Sequence, residues 1–235
     1  MGTRQRKVDD NELWVKIVDD AIRYHSAHTL GTVIGRGPSS HAGSVRPNLM
    51  WKIVNVIGAY KLGCCATFVD AGCGTGTVLA FFLRYFKRMR VVGIDLEEER
   101  VNIARELLRT TRLFDCDRVG LHTGTFADPD FWNGLRLQER GERVCVWINA
   151  TNFCFDYNLI EEFEKRAEEF LTKGSIIMSN EKLFRGRTRR TIRKINNEAK
   201  FKETIHPITL EKGDLSWNSD TNKIMYLHYY RKIVS

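Results

Sequence analysis

Residues 70–76 restrict the possible folds of this chain more than any other part of the sequence. They read Asp-Ala-Gly-Cys-Gly-Thr-Gly, after an apolar run at 66–69 and at the start of a helix-spaced apolar run at 75–86. Glycines let the backbone pass close to a ligand, and the start of a helix offers free N–H groups. A strand, a glycine turn and a helix in this order are typical of α/β proteins that bind a nucleoside-containing cofactor.

Strand-like and helix-like segments alternate along the rest of the chain. Apolar periodicity predicts helices at 47–62, 75–86, 97–110 and 158–171, and strands at 66–69, 90–94, 118–123, 143–148 and 175–179. This order predicts a mostly parallel sheet with helices on both faces. Two long strands at 200–210 and 223–233 would add an antiparallel pair at its edge, which gives seven strands in all. A helix at 11–25 and a glycine-rich loop at 31–47 predict a small N-terminal segment, residues 1–46, before a single domain at 47–235.

Polar residues at three successive strand ends indicate which cofactor binds. Asp70 would repel a pyrophosphate but suits the ammonium of a methionine moiety. Asp95 ends the second strand, where an acid can accept hydrogen bonds from both ribose hydroxyls. Phe126 follows the third strand and can cover an adenine ring. Together they predict S-adenosyl-L-methionine rather than NAD; the alternative is that Asp95 caps a helix and Phe126 belongs to the core. The predicted cofactor contacts are Asp70, Gly72, Gly74, Gly76, Asp95, Thr125 and Phe126.

The segment after the fourth parallel strand carries two amides and two aromatic rings. It runs from Asn149 to Phe155 and includes Asn152 and Phe153. Ligands of open α/β sheets lie beyond the carboxyl ends of the strands, so this segment is expected to face the transferred methyl group. A narrow apolar channel would lower the pKa of a lysine amine, and an asparagine carbonyl would orient it. Alternatively, the two phenylalanines fill the core and Asn152 caps a turn.

The charge of the chain favours an anionic partner. The formal net charge is +8, and residues 182–194 contain seven Lys and Arg residues and no acid. A solvated face usually mixes both signs, so this stretch predicts contact with nucleic-acid phosphates. The structural alternative is that its arginines pair with the acidic helix at 158–171.

Composition argues against several other classes. Hydrophobic residues make up 43% and charged residues 28% of the chain, which predicts a globular core rather than disorder. No apolar run approaches the roughly 18 residues of a membrane span, and residues 1–10 show no secretory signal pattern. The six cysteines include no Cys-x-x-Cys pair, so we expect neither a metal site nor a disulfide framework.

Several motifs occur in an order that identifies a family. They are the stretch 69–76, Gly124-Thr125-Phe126 before Phe131-Trp132, Asn152-Phe153-Cys154-Phe155 before 173–179, and the stretch 212–217 before Tyr226-Leu227-His228. From about residue 41 onwards, the chain resembles the Dot-one (disruptor of telomeric silencing) family of histone lysine methyltransferases, which lack a SET domain. The resemblance implies a class I, Rossmann-like fold, S-adenosyl-L-methionine as cofactor, and methylation of a lysine in the globular part of nucleosomal histone H3. It also implies a nuclear location, and we expect a monomer. From its charge alone, the stretch 182–194 is expected to contact nucleosomal DNA or an acidic histone surface.

The same resemblance implies roles for further residues. The loop that reads Tyr-Gly-Glu-Thr in the family is Ala42-Gly43-Ser44-Val45 here, which makes Gly43 a cofactor contact. The family has an acid where this chain has Thr125. Of the family's two adjacent asparagines, the second corresponds to Asn152, and the first, catalytic one falls in an insertion, so Asn149 and Asn152 are both candidates. The lysine channel would be walled by Phe153, Phe155, Trp217 and Tyr226. These departures indicate a divergent branch.

Two other functions are compatible with parts of the sequence. One is a nucleic-acid methyltransferase acting on an exocyclic amine; such enzymes carry a proline-containing loop at this place, whereas residues 149–155 contain no proline. The other is a non-catalytic module that keeps the fold and binds chromatin through its basic face. The intact glycine loop and Asp95 argue against such a loss of function. Methyl transfer to nucleosomes, free histones and nucleic acid would distinguish the three.

Overall fold

The fold is described from a computed structural model, in which residues 45–149, 157–184, 200–211, 214 and 223–233 are the ones described. They form a seven-stranded sheet with the order β3-β2-β1-β4-β5-β7-β6. The strands are β1 Thr67–Ala71, β2 Arg90–Asp95, β3 Val119–Thr123, β4 Val144–Ile148, β5 Ile176–Ser179, β6 Phe201–Thr209 and β7 Ile224–Lys232. The helices are α1 Pro47–Ile57, α2 Ala59–Gly63, α3 Thr77–Tyr85, α4 Glu98–Thr110, α5 Pro129–Leu135, α6 Leu137–Arg140 and α7 Tyr157–Phe170.

The pairing confirms the mixed sheet that the sequence predicts. Strands β1 to β5 are all parallel to one another, whereas β7 runs antiparallel to β5 and to β6. The last strand therefore lies inside the sheet, and β6 forms its edge. Because the parallel strands share one direction, all their carboxyl ends lie along one edge of the sheet and their amino ends along the other.

The core has two layers, one on each face of the sheet, because side chains alternate along a strand. In β1, Phe68 packs with the layer beneath α1 and α3, and its neighbour Val69 packs with the layer beneath α7. Phe68 stacks on Phe82 with their ring centroids 3.6 Å apart. On the other face, the fully buried Phe163 of α7 lies beside Trp132. Among the described helices, none is long and apolar enough to cross a membrane.

The structure differs from the sequence prediction at two places. The helix predicted at 47–62 is two helices, because Gly58 has a φ of 95° and ends the first one. Residues 129–140 form two short helices that periodicity did not indicate. The first begins where the Asp128 carboxylate accepts a hydrogen bond from the Asp130 N–H, with Pro129 at the first helical position. The helix predicted at 11–25 lies outside the described residues, so the division at residue 46 stays a prediction.

Candidate active site

Four neighbouring strands end side by side at the carboxyl edge of the sheet. The residues at these ends are Thr125 after β3, Asp95 in β2, Asp70 in β1 and Asn149 after β4. The ends of β3 and β2 are joined directly, since the Gly124 N–H donates to the Asp95 carbonyl over 2.9 Å. The sequence placed the cofactor along this row of strand ends, and the structure brings the row together.

The glycine loop turns sharply between β1 and α3. Gly72, Gly74 and Gly76 all have positive φ, at 84°, 51° and 81°, a region that side chains other than glycine rarely occupy. Gly76 is also crowded, because a Cβ there would lie 2.8 Å from the Ala104 Cβ on α4. Glycine at this position lets the start of α3 pack closely on α4.

A small pocket opens between the ends of β1 and β4, and Asp70, Gly72, Thr77 and Asn149 line it. Asp70 is only 2% exposed. Within the described residues its carboxylate has no hydrogen bond or ion pair, and burial, helped by the charge of Asp95, raises the pKa of this carboxyl well above its ordinary value. A buried acid without a partner in a pocket fits a ligand that brings a positive charge, as the ammonium of S-adenosylmethionine does.

Asp95 differs from Asp70 because its carboxylate is already held by the protein. It accepts hydrogen bonds from the Gly74 N–H over 2.8 Å and the Glu97 N–H over 3.1 Å, and the Arg100 guanidinium lies 3.7 Å away. Asp95 therefore fixes the glycine loop and the turn into α4. Each carboxylate oxygen has more than one acceptor site, so the predicted bonds to ribose hydroxyls remain compatible with this geometry.

The residues that follow β3 are also held by hydrogen bonds within the protein, as Asp95 is. The Thr125 hydroxyl accepts from the Ala127 N–H over 3.1 Å, and the Phe126 carbonyl accepts from the Trp132 indole N–H over 2.7 Å. Phe126 is 5% exposed, and its ring meets that of Phe163 edge-on with centroids 5.6 Å apart. Phe126 is thus part of the core, as the structural alternative had it. Whether its edge also contacts adenine stays a prediction.

The reaction end of the site is described only in part. Asn149 lines the pocket and is half-buried. Tyr226 on β7 is 54% exposed, and the pocket at Asp70 does not include it. The other predicted residues, Gly43, Asn152, Phe153, Phe155 and Trp217, lie outside the described residues, as do residues 185–194 of the basic stretch.

The pocket also contains residues that the sequence analysis did not select. Trp147 is the register partner of Asp70 on β4 and is 1% exposed, and Thr77 begins α3 and is 4% exposed. Trp147 sits two residues before Asn149, so the alternation of β4 places both on the same face. That spacing could have identified Trp147 as a pocket residue, but a Trp within an apolar strand is more readily interpreted as a core residue.

An ion pair between a half-buried lysine and a buried carboxylate holds the C-terminal hairpin against α1 near this pocket. Asp214 is 2% exposed; its carboxylate lies 2.7 Å from the Lys52 Nζ and accepts from the Glu211 N–H over 2.8 Å. Its carbonyl accepts from the Arg46 N–H, beside the pocket residue Val45. Burial alone would lower the pKa of Lys52, but the hydrogen bond and charge of Asp214, with those of Glu211, raise it overall.

The fold and this pocket define a class I methyltransferase that uses S-adenosylmethionine. Solved structures share the fold: an O-methyltransferase from Bacillus cereus in complex with SAH superposes with a TM-score of 0.58 at 14% identity, over 92% of this chain and 91% of that one. A methyltransferase from Geobacter sulfurreducens has a TM-score of 0.52 at 17% identity, over 91% of this chain and 88% of that one.

The family model of the histone methylation protein DOT1 matches residues 39–230, and the chain belongs to this family. It is also similar to the H3 lysine-79 specific histone-lysine N-methyltransferase of Caenorhabditis elegans, with 26% identity over 170 residues, or 72% of this chain. Those residues span only 18% of the nematode protein. The resemblance noted from the motifs is therefore confirmed at the level of the family.

Proposed function

We propose that this protein transfers a methyl group to a lysine in the globular part of nucleosomal histone H3. The observation that carries the proposal is the pocket lined by both Asn149 and Asp70, an acid with no partner among the described residues, in a chain of the DOT1 family. The nematode relative, which is specific for lysine 79 of H3, supports this class of substrate.

In this proposal, the carboxyl edge holds the cofactor by its charged and polar ends. Asp70 binds the ammonium of the methionine moiety, and its burial makes that ion pair strong because little water competes for it. The N–H groups of the loop from Gly72 to Gly76 would bind the nucleoside, and Asp95, held by Gly74 and Glu97, would accept hydrogen bonds from the ribose. Thr125 and Phe126 lie at the adenine end.

The acceptor amine must be neutral and aligned before it reacts. Bound S-adenosylmethionine supplies an electrophilic methyl group on its sulfonium sulfur. The carbonyl of Asn149 or Asn152 would accept a hydrogen bond from the lysine Nζ and so aim its lone pair at that methyl. Phe153, Phe155, Trp217 and Tyr226 would form the apolar channel that removes water from the amine and lowers its pKa. The nitrogen–carbon bond forms as the sulfur–carbon bond breaks, and the amine proton leaves to solvent.

The partner surface is proposed from charge. Residues 182–194 would contact nucleosomal DNA, and the protein would act in the nucleus. Replacing Arg185, Arg189 and Arg193 together with Ala should then reduce nucleosome methylation and make DNA affinity less dependent on salt. The salt slope should become shallower by roughly 0.9 for each phosphate that the variant no longer neutralises. An unchanged salt dependence, or an unfolded variant, would place the DNA-binding surface elsewhere.

The decisive experiment measures transfer of a radiolabelled methyl group to nucleosomes, free histones and nucleic acid side by side. We expect label on H3 in nucleosomes. Asn149→Ala and Asn152→Ala should differ, since one should abolish turnover and keep cofactor binding, as expected for a group that acts in the transition state. Label on nucleic acid alone would replace the histone substrate by an exocyclic amine. Cofactor binding without transfer to any acceptor would make the chain a binding module.

A further inference from the structure

A second cavity lies at the opposite edge of the sheet, where the parallel strands begin. One wall is α2, which carries Tyr60 and Lys61, and the other is the face of the β6–β7 hairpin that carries Lys202 and Arg231. Arg143, just before β4, lies between them. We name this cavity the amino-edge groove. It is about 20 Å from Asn149, because the five residues of β4 and their flanks separate the two at about 3.3 Å per residue.

Among the described residues that line the amino-edge groove, four are cations, Lys61, Arg143, Lys202 and Arg231, and none is an acid. In the part of the chain that the structure describes, none of the four has an ion pair. The nearby acids have other partners: Glu142 accepts a hydrogen bond from the Thr67 hydroxyl over 2.9 Å. Glu203 points to the other face of the hairpin, where it contacts His228 and Tyr230.

Two of these cations face each other across the hairpin. Lys202 and Arg231 are register partners in the β6–β7 ladder and line the same groove. Directly opposed side chains of an antiparallel pair have Cβ atoms about 4.5–5.5 Å apart, and like charges at that distance destabilise the strand pair. An anion bound between them would relieve this repulsion.

The other groove residues suit a phosphate group. Thr204 and Tyr229 are the next register partners on the same face, and each carries a hydroxyl that can donate to a phosphate oxygen. Tyr60 at the rim is 86% exposed, so its ring is free to lie against a sugar or a base. Arginine, lysine, threonine and tyrosine side chains are the usual partners of a nucleic-acid backbone.

We infer that the amino-edge groove binds the phosphodiester backbone of a nucleic acid, as a site separate from the cofactor pocket. The groove extends from α2 to the β6–β7 hairpin, and its described lining contains no acid that would repel successive phosphates. This inference goes beyond the proposed reaction and does not depend on the histone substrate. Binding can be measured without any methyl acceptor, so its failure is distinguishable from a failure of methyl transfer.

The first test compares two variants of the full chain that each lose two positive charges. Lys202→Thr/Arg231→Thr removes the opposed pair and keeps residues that suit a strand. Arg105→Ala/Lys165→Ala removes the same charge from α4 and α7, outside the groove. Affinity for a duplex DNA of about 20 base pairs, followed by fluorescence anisotropy, should fall about tenfold in the groove variant, with a salt slope shallower by about 2. Equal losses in both variants would show that only net charge matters and would overturn the proposal.

The second test uses a cysteine that the groove already contains. Cys64 lines the groove and is exposed, whereas Cys116 is exposed elsewhere. Alkylation of each, measured by peptide mass spectrometry, should be slowed about fivefold or more by bound duplex at Cys64 and left unchanged at Cys116. Equal rates at Cys64 with and without bound duplex would place the DNA-binding surface elsewhere, and the proposal would be wrong. The Cys64 readout also holds if a groove variant fails to fold.

A third comparison distinguishes double-stranded DNA, single-stranded DNA and free phosphate as ligands of the groove. The same assays are run with a single strand of equal length and with inorganic phosphate. A duplex that binds more tightly than the single strand, and more weakly in the groove variant, fits two-stranded DNA as the ligand. Tighter single-strand binding that is abolished in Tyr60→Ala identifies a single strand, whose bases stack on the ring. Protection of Cys64 by phosphate alone at the same affinity would reduce the groove to a small-anion site and contradict the inference.

Discussion

The two edges of the central sheet carry opposite charges, and they differ in how those charges are balanced. At the carboxyl edge three buried acids come together: Asp95 and Asp214 are matched by Arg100 and Lys52, and Asp70 has no matching cation within the described residues. At the amino edge the four cations of the amino-edge groove have no acid among the described residues. In both places the unbalanced charge faces a cavity. The comparison suggests that each edge is electrostatically incomplete until a ligand of the opposite sign binds.

The largest effect is expected from a comparison of two crowded glycines, one at each edge of the sheet. The glycine at the carboxyl edge is crowded by a neighbouring helix, whereas the one at the amino edge is crowded by a flexible side chain. Gly76→Ala combines a φ of 81° with a 2.8 Å approach to the Ala104 Cβ, so it should lower the free energy of unfolding by about 2–4 kcal/mol. Gly174→Ala also has a positive φ, 88°, but its Cβ would meet the Arg143 side chain at 3.1 Å. It should cost only about 1–2 kcal/mol, because that side chain can move. Urea unfolding of both variants tests the difference, and equal costs would contradict it.

Removing the cation that pairs with a buried acid at the carboxyl edge should lower the free energy of unfolding by slightly less. Lys52→Met leaves the buried Asp214 carboxylate without its cation, and we expect a decrease of about 2–3 kcal/mol in unfolding free energy. Adding Asp214→Asn should restore part of this decrease, because no uncompensated charge then remains. The raised pKa of Lys52 means that its contribution is complete below its ordinary pKa of 10.5 and disappears only as pH rises through the higher folded-state value. A double variant less stable than Lys52→Met would show that the Asp214 carboxylate acts through other partners.

Removing the unmatched acid should have opposite effects on binding and stability. Asp70→Asn should weaken S-adenosylmethionine binding roughly 10- to 100-fold, measured by calorimetry, because a charge-assisted bond is removed. The same change should stabilise the cofactor-free protein by about 1 kcal/mol, or about 2–4 °C in melting temperature, since a buried unpaired carboxylate is replaced. Unchanged affinity in both Asp70→Asn and Asp95→Ala would reject the cofactor site as assigned.

The titration of Asp70 gives a second test, which is carried out on the cofactor-free protein and needs no measurement of cofactor affinity. Its folded-state pKa is raised above the ordinary 3.8, so the folded protein retains this proton to higher pH than the unfolded chain. Stability of the cofactor-free protein should therefore fall as pH rises above about 4, and the slope should be smaller in Asp70→Asn. Saturating cofactor should also flatten it, because the ammonium compensates the ionised carboxylate. Identical slopes in the variant and the parent would contradict the assignment.

The smallest effect is expected from relieving the repulsion at the amino edge. Lys202→Thr separates the opposed cations of β6 and β7 and should stabilise the protein by a few tenths of a kcal/mol. Lys200→Thr is a suitable control, because Lys200 lies next to this strand but is within 3.6 Å of the Glu168 carboxylate. Its replacement should be neutral or slightly destabilising. A decrease of stability in Lys202→Thr would show that this lysine is balanced by a partner in the folded protein.

The carboxyl edge could be predicted from the sequence, and the amino edge could not. Asp70, Asp95 and Asn149 each follow an apolar strand, so the rule that ligands lie beyond strand ends brings them together. The cations of the amino-edge groove come from four separate segments, and only the strand order β1-β4-β5-β7-β6 makes them neighbours. A contiguous run of cations such as 182–194 can be recognised in the sequence. Lys202 and Arg231, by contrast, become neighbours only through the register of the hairpin.

Two features of the carboxyl edge also could not be predicted from the sequence. Trp147 looks like a core residue of β4, and only its register with Asp70 shows that it borders the pocket. The two short helices at 129–140 have too few residues for a periodic pattern, so a local cap rather than amphipathicity decides where they form. Away from this edge, Gly58 divides a continuous apolar pattern into two helices because periodicity does not report backbone dihedral angles.

The strand order also has a consequence for how the chain assembles. Among the described strands, β6 is paired only with β7, although it precedes β7 in the sequence, so β6 cannot join the sheet before β7 has been synthesised. Until then the free edge of β5 is an open template for another chain. During translation, the first five strands can form a parallel sheet that waits for the hairpin to dock as a unit. A polypeptide released from the ribosome before Ile224 should therefore aggregate through β5 rather than persist as a monomeric intermediate.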